Sequence, residues 1–149
     1  MILSAQTIRK HKGILTPFEE RGVFKGMSYG LSVAGYDIRI DQDVDMWAGR
    51  FALAASMERF HMPHNIIAFV HDKSTWARRG LAVQNTVIEP GWSGYLTIEL
   101  TNHGRDDIQI DRGMPIAQIV FQFLDEPTEK PYSGKYQNQE AGAQAARYE

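Results

Sequence analysis

Three cations and two hydroxyls fall within the short run Lys73-Ser74-Thr75-Trp76-Ala77-Arg78-Arg79. Ammonium, hydroxyl and guanidinium groups at this spacing suit phosphate oxygens, because charge-assisted hydrogen bonds are the stronger class. A solvated basic loop has the same composition, so these residues alone leave both readings open. A second candidate is the single carboxylate of Tyr95-Leu96-Thr97-Ile98-Glu99-Leu100, an otherwise apolar and hydroxyl alternation. On a central strand an ionised carboxylate is costly unless it is paired or hydrogen-bonded. Burial would raise the pKa of Glu99 and suit it to general acid–base work near neutral pH. The same alternation with Thr97 also permits an exposed place on an outer face. His61 and His64 form an H-x-x-H pair, but it spans Pro63 with no third ligand in view, which favours a structural or exposed reading over a metal site.

The elements that must position these groups are short. Ser4 is a suitable N-cap for a brief helix through His11, ended by Gly13. Ile14 to Phe18 reads as extended, and the charged, glycine-punctuated Glu19 to Met27 as loop. Tyr36-Asp37-Ile38-Arg39-Ile40 alternates with period two, as a half-buried strand does. From Phe51 onward, apolar groups rich in Val, Ile, Thr and aromatics are broken by Gly and Pro, a spacing that favours an all-β sandwich or barrel. Ile108-Gln109-Ile110 and Ile116 to Phe123 flank turn residues 111–115 and read as a last hairpin. From Tyr132 to Glu149 no periodic apolar face remains, so this tail could not order itself alone.

At 149 residues the chain can form one domain that buries roughly 70% of its unfolded surface. With 43% hydrophobic and 23% charged residues and no apolar run near roughly 18 residues, no membrane span is expected. The start, Met1-Ile2-Leu3-Ser4, lacks a secretory pattern, so a cytoplasmic location is expected. A net charge of -2 argues against general nucleic-acid binding and makes any phosphate site local. The lack of cysteine excludes disulfides, a thiol nucleophile and the His/Cys/Cys zinc centre of one group of nucleobase deaminases.

Two blocks carry a resemblance. Residues 73–81, Lys-Ser-Thr-Trp-Ala-Arg-Arg-Gly-Leu, are similar to the R-S-S-x-A-R-x-G-L motif of dCTP deaminases. Glu89-Pro90-Gly91-Trp92-Ser93-Gly94 with 96–102 resembles their D-P-G-W-x-G and L-x-L-E-x-x-N block. Met1 to Ser4, Ser32 to Ile40, Gly113 to Gln118 and Tyr132 to Gln139 resemble further family segments in the same order. The chain is thereby identified as a member of the dCTP deaminase and trimeric dUTPase superfamily.

The resemblance implies an all-β, distorted, jelly-roll-related barrel of the dUTPase kind, with a short N-terminal helix and residues 127–149 as a tail closing over bound nucleotide. It implies a homotrimer with active sites at subunit interfaces, a deoxycytidine or deoxyuridine triphosphate substrate, and Mg²⁺ bound mainly through the triphosphate, with no zinc. Glu99 matches the glutamate that activates water for attack on C4 of cytosine. Lys73, Ser74 and Thr75 match the triphosphate-contacting segment, with lysine where arginine and its bidentate fork are usual. Arg78 matches an arginine near the reacting base, and Gln118 a position facing the base. Tyr132, Lys135 and Gln139 match tail contacts to sugar and phosphates.

One segment departs from the deaminase pattern. Ala82 to Ile88 is shorter than the usual deaminase connection and has the dUTPase spacing, with Glu89 where dUTPases place a catalytic aspartate and Asn85-Thr86 in place of Ala-Gly. The expected activity is deamination of dCTP to dUTP and ammonia, with continuation to dUMP and diphosphate as an extension. A plain dUTPase in which Glu89 orients water, or a non-catalytic nucleotide-binding regulator, are the alternatives.

Overall fold

The computed structural model describes residues 1–84 and 86–148; Asn85, in the shortened segment, and Glu149, at the end of the tail, lie outside them. Along the chain the strands are β1 (Leu15–Thr16), β2 (Arg21–Phe24), β3 (Met27–Leu31), β4 (Tyr36–Arg39), β5 (Val44–Met46), β6 (Phe51–His61), β7 (Ile66–Asp72), β8 (Leu81–Val83), β9 (Val87–Ile88), β10 (Ser93–Asn102), β11 (Ile108–Ile110) and β12 (Pro115–Phe123). Helix α1 (Ala5–Lys10) precedes them, and α2 (Ser74–Ala77) lies between β7 and β8. Ser4 does stand at the start of α1, yet its hydroxyl meets that of Thr7 at 3.3 Å and caps no backbone amide.

A six-stranded sheet runs β2-β3-β4-β12-β7-β9, a four-stranded sheet β1-β6-β10-β8, and β11 pairs with β5. The pairings are antiparallel. One core cluster draws Ile38, Ile119 and Phe121 from the larger sheet and Phe60, Ile98 and Leu100 from the smaller. An Ile40–Ser56 bridge joins the chain beyond β4 to β6, so the sheets curl into one another. The all-β, barrel-like expectation therefore holds. Among the described residues no helix is long and apolar enough to cross a membrane.

Three local expectations are corrected. Glu19 to Met27 is not all loop: β2 and β3 form a hairpin around Lys25-Gly26, both at positive φ. β4 is buried on both faces, because Asp37, on the face opposite Tyr36 and Ile38, is covered and neutralised by Lys73. Residues 108–123 are not a hairpin, since β11 turns away to pair with β5 while β12 inserts between β4 and β7. Turn chemistry at 111–115 reverses the chain without dictating which strand it pairs next.

Strand β4 is braced by charge. Arg39, two residues beyond Asp37, donates from Nε to Glu58 Oε1 at 2.8 Å and from its backbone N–H to Oε2 at 2.9 Å, and its guanidinium lies 4.7 Å from the Tyr29 ring centroid. Glu58 is fully buried, and desolvation pushes its carboxyl up against the pull of Arg39. Removing one partner strands the other charge in the interior, a cost of about 3–5 kcal/mol. Arg39→Met should therefore lower the urea midpoint strongly. The double variant Arg39→Met/Glu58→Met should regain much of the loss in the same equilibrium melts.

Candidate active site

Strand β10 lies between β6 and β8, with Ile98 and Leu100 in the core and Thr97 and Glu99 on the opposite, half-exposed face. That face opens on a cavity of about 530 Å³. Phe51 and Leu53 of β6, residues 86–89, Trp92 and tail residues Tyr132, Tyr136, Gln139 and Gln144 are among its other lining residues. Leu53 stands directly opposite Glu99 in the β6–β10 register. Burial raises the Glu99 carboxyl above its ordinary value, opposed by a hydrogen bond from its own backbone; no cation contributes. The carboxyl is thus half-desolvated without a counter-charge, the condition that moves an acid toward neutral titration.

The tail reaches this cavity because two glycines let it. Gly91 (φ 84°) and Gly94 (φ 148°) lie under the returning chain, and a Cβ there would come within 2.6 Å of Pro131 Cβ and 2.7 Å of the Gln139 backbone nitrogen. Tyr132 N–H donates to Pro90 O at 2.8 Å, Trp92 Nε1–H to Tyr136 O at 2.7 Å, and Ser93 N–H to Gln137 Oε1 at 2.8 Å. Asn138 N–H then donates to Ser93 O and Tyr95 N–H to Gln139 O, both at 2.9 Å, around a parallel Gly94–Gln139 bridge. The tail lacks an apolar face, but backbone pairing to β10 replaces one.

The basic run occupies a different place. Trp76 is buried, and its Nε1–H donates to Pro115 O at 2.7 Å, pinning α2 to β12. Lys73 Nζ is 3.0 Å from Asp37 Oδ2 and largely buried, so its charge already has a partner. Ser74, Thr75 and Arg78 are exposed beside it. Gln118 is in register with Asp37 and His71, and its amide donates to Ser32 Oγ at 3.2 Å. None of Lys73, Ser74, Thr75, Arg78 or Gln118 lines the Glu99 cavity.

One chain therefore brings together Glu89, Glu99, Tyr132 and Gln139, and separately gathers Lys73, Ser74, Thr75, Arg78 and Gln118. Lys135 is exposed and stays outside the cavity, its ammonium 5.6 Å from the Tyr136 ring centroid. His61 Nδ1 is 2.7 Å from Ser93 Oγ, a structural contact, and among the described residues no group of three or more His, Asp or Glu could hold a metal. Sequence reasoning missed Asp37 as the partner of Lys73, Thr97 as a cavity residue, and Phe51 and Leu53. The period-two spacing of Thr97 from Glu99 could have found it; the register of β6 on β10 is not written in either strand.

Comparison with known proteins places the chain in a family. The dCTP deaminase-like family model matches residues 36–124. The dCTP deaminase of Gemmatimonas aurantiaca is 35% identical, with 88% of this chain and 89% of that protein covered. That of Campylobacter fetus is 36% identical, covering 85% and 86%. The chain belongs to the dCTP deaminase-like family. Its family-matched span contains Asp37, the basic run, Glu89, Glu99 and Gln118, and stops before the tail. Among solved structures, EIAV dUTPase superposes with a TM-score of 0.56 at 22% identity, covering 68% of this chain and 84% of that one. A dUTPase of Staphylococcus aureus phage phi11 gives 0.59 at 17%, covering 78% and 91%. These likenesses show that this family member has the dUTPase fold.

The raised carboxyl has a consequence for stability. Below the unfolded pKa both states hold the Glu99 proton and ionisation costs nothing; as pH rises through the higher folded pKa, the native state must carry a half-desolvated charge. Glu99→Gln should accordingly raise the melting temperature at pH 7, and the gain should vanish below about pH 4. Thermal melts of both proteins across pH 3–8 read this directly.

Proposed function

We propose that the chain is a cytoplasmic enzyme that deaminates dCTP to dUTP and ammonia. The observation that supports this most is Glu99, a carboxyl without a counter-charge on the floor of a cavity sized for a nucleoside. Glu99 accepts a proton from water as the oxygen bonds to C4 of cytosine, and the C4–N3 π electrons move to N3, which takes that proton from Glu99. Glu99 then relays the proton of the new hydroxyl to the exocyclic amine. The C4–N4 bond breaks, ammonia leaves and C4 becomes a carbonyl. Every proton that Glu99 takes it passes on, so the carboxylate is regenerated for the next turnover.

Residues 1–149 are read as one domain with 127–149 as the closing tail. The separation of the two clusters favours a homotrimer in which Ser74, Thr75 and Arg78 of one subunit face the Glu99 cavity of the next. On this reading Arg78 meets the reacting centre, Ser74 assists there, and Ser74 and Thr75 also donate to phosphates. Lys73 offers phosphate oxygens the protons that its bond to Asp37 leaves free, and that bond orients the turn. Gln118 lies on the basic-run side, Glu89 faces the sugar, and Tyr132, Gln139 and Lys135 close over sugar and phosphates. The donor set of hydroxyls, guanidinium and ammonium fits phosphate oxygens rather than a cation. Mg²⁺ accordingly enters on the triphosphate, where it neutralises phosphate charge and keeps several waters.

Ammonia and dUTP should accumulate when purified protein is incubated with dCTP and Mg²⁺, and Glu99→Gln should bind dCTP with deamination lost. Conversion of dUTP to dUMP and diphosphate, with dCTP left intact, would instead establish the dUTPase reading. A mixing experiment tests the shared site. Glu99→Gln and Arg78→Ala, each inactive alone, should regain roughly a quarter of the wild-type rate when unfolded and refolded together, because about one interface in four then pairs two intact faces. No recovery in properly assembled mixed oligomers would place both residues in one subunit's site.

A further inference from the structure

Thr97 has been given no role so far, yet its hydrogen bonds define what it must do. Gln139 Nε2 lies 2.9 Å from Tyr95 O and 2.6 Å from Thr97 Oγ1. A carbonyl oxygen only accepts, so the Gln139 atom is its amide nitrogen; that nitrogen has two protons and accepts none, so Thr97 Oγ1 accepts as well. The Gln144 backbone N–H donates to the same oxygen at 3.1 Å. A hydroxyl has two acceptor sites and one proton. Both acceptor sites are filled by the tail, and Thr97 Oγ1 donates to no acceptor among the described residues. Thr97 lines the cavity.

We propose that Thr97 is a hydrogen-bond donor to the bound nucleoside, its polarity set by the tail. This rests on the deaminase reading for the orientation of the ligand. Thr97 and Glu99 are two residues apart on one strand face, roughly 7 Å along the sheet. With C4 held at Glu99, the Thr97 proton is directed at the far side of the nucleoside. The acceptors there are the base O2 and the sugar 3′ oxygen. A hydroxyl whose acceptor sites are both occupied can only give its proton, so it selects an oxygen and disfavours a donor at that point. The tail thus chooses the direction of the hydrogen bond as well as covering the cavity.

The test is a binding cycle in the Glu99→Gln background, which suspends turnover. The three proteins carry Thr97 unchanged, Thr97→Val or Thr97→Ser, and each is titrated by calorimetry with dCTP, 2-thio-dCTP and 2′,3′-dideoxy-CTP in Mg²⁺. With Thr97 present, one analogue should bind about 5–10-fold more weakly than dCTP, the loss expected for one neutral hydrogen bond. The sulfur analogue identifies O2 and the dideoxy analogue the 3′ oxygen. Thr97→Val should erase that difference and Thr97→Ser should restore it. Equal weakening of all three nucleotides by Thr97→Val would show that Thr97 only fastens the tail and would overturn the proposal. So would discrimination that survives Thr97→Val, no discrimination by the unchanged protein, or failure of all three to bind. If wild-type protein releases no ammonia from dCTP, the deaminase reading fails separately, and the binding cycle still decides whether Thr97 donates.

Discussion

Strand β10 has one hydrogen-bonding edge that β6 does not occupy, and two distant segments must share it. Val83, Ala82 and Leu81 pair with residues 100–102, and the tail pairs at 93–95. Between them the Gln84 N–H donates to Glu99 O at 2.8 Å. The catalytic candidate thus lies where two edge segments meet end to end, and the cavity is the gap their side chains leave. If either segment were longer, the edge would close over Glu99. If either were absent, water would solvate the carboxyl and its raised pKa would relax.

Around β4 a different constraint applies, the cost of charge without solvent. Asp37 and Glu58 are buried carboxylates, each neutralised by a cation on a neighbouring element. Such pairs contribute little net stability compared with apolar replacements, but they tolerate few alternative arrangements. Here they hold β4 against β6 and the α2 turn against β4, fixing the exposed hydroxyls and Arg78 on a rigid base. Glu99 is the exception, a partly buried carboxyl with no cation. This contrast within one fold is a physical reason to place chemistry at Glu99 and structure at Glu58.

Much of this was readable from the chain alone. Period-two alternation found β10 while leaving Glu99 open between a buried and an outer face, and Gly and Pro punctuation gave short strands. Resemblance to the dCTP deaminase motifs is what linked 73–81 to 89–102. What stayed hidden was long-range pairing. The sequence of Ile108–Ile110 is equally apt for β12 or β5, and only the closure of the other sheets decides. The order of the tail was hidden for a related reason: it comes from backbone hydrogen bonds to β10 and from two glycines that permit close approach, neither of which registers as hydrophobic pattern. The partnership of Lys73 with Asp37 was likewise invisible, because the two residues meet only across the β4–β12–β7 face of the sheet.

The Gly94–Gln139 bridge also orders events in time. Joining residues so far apart closes a long loop, and its entropy is recovered only after β6 and β10 have already paired. The tail's part of the cavity wall can therefore form only once β10 is in place. Chains that lose their final residues would then accumulate as folded proteins without a finished site.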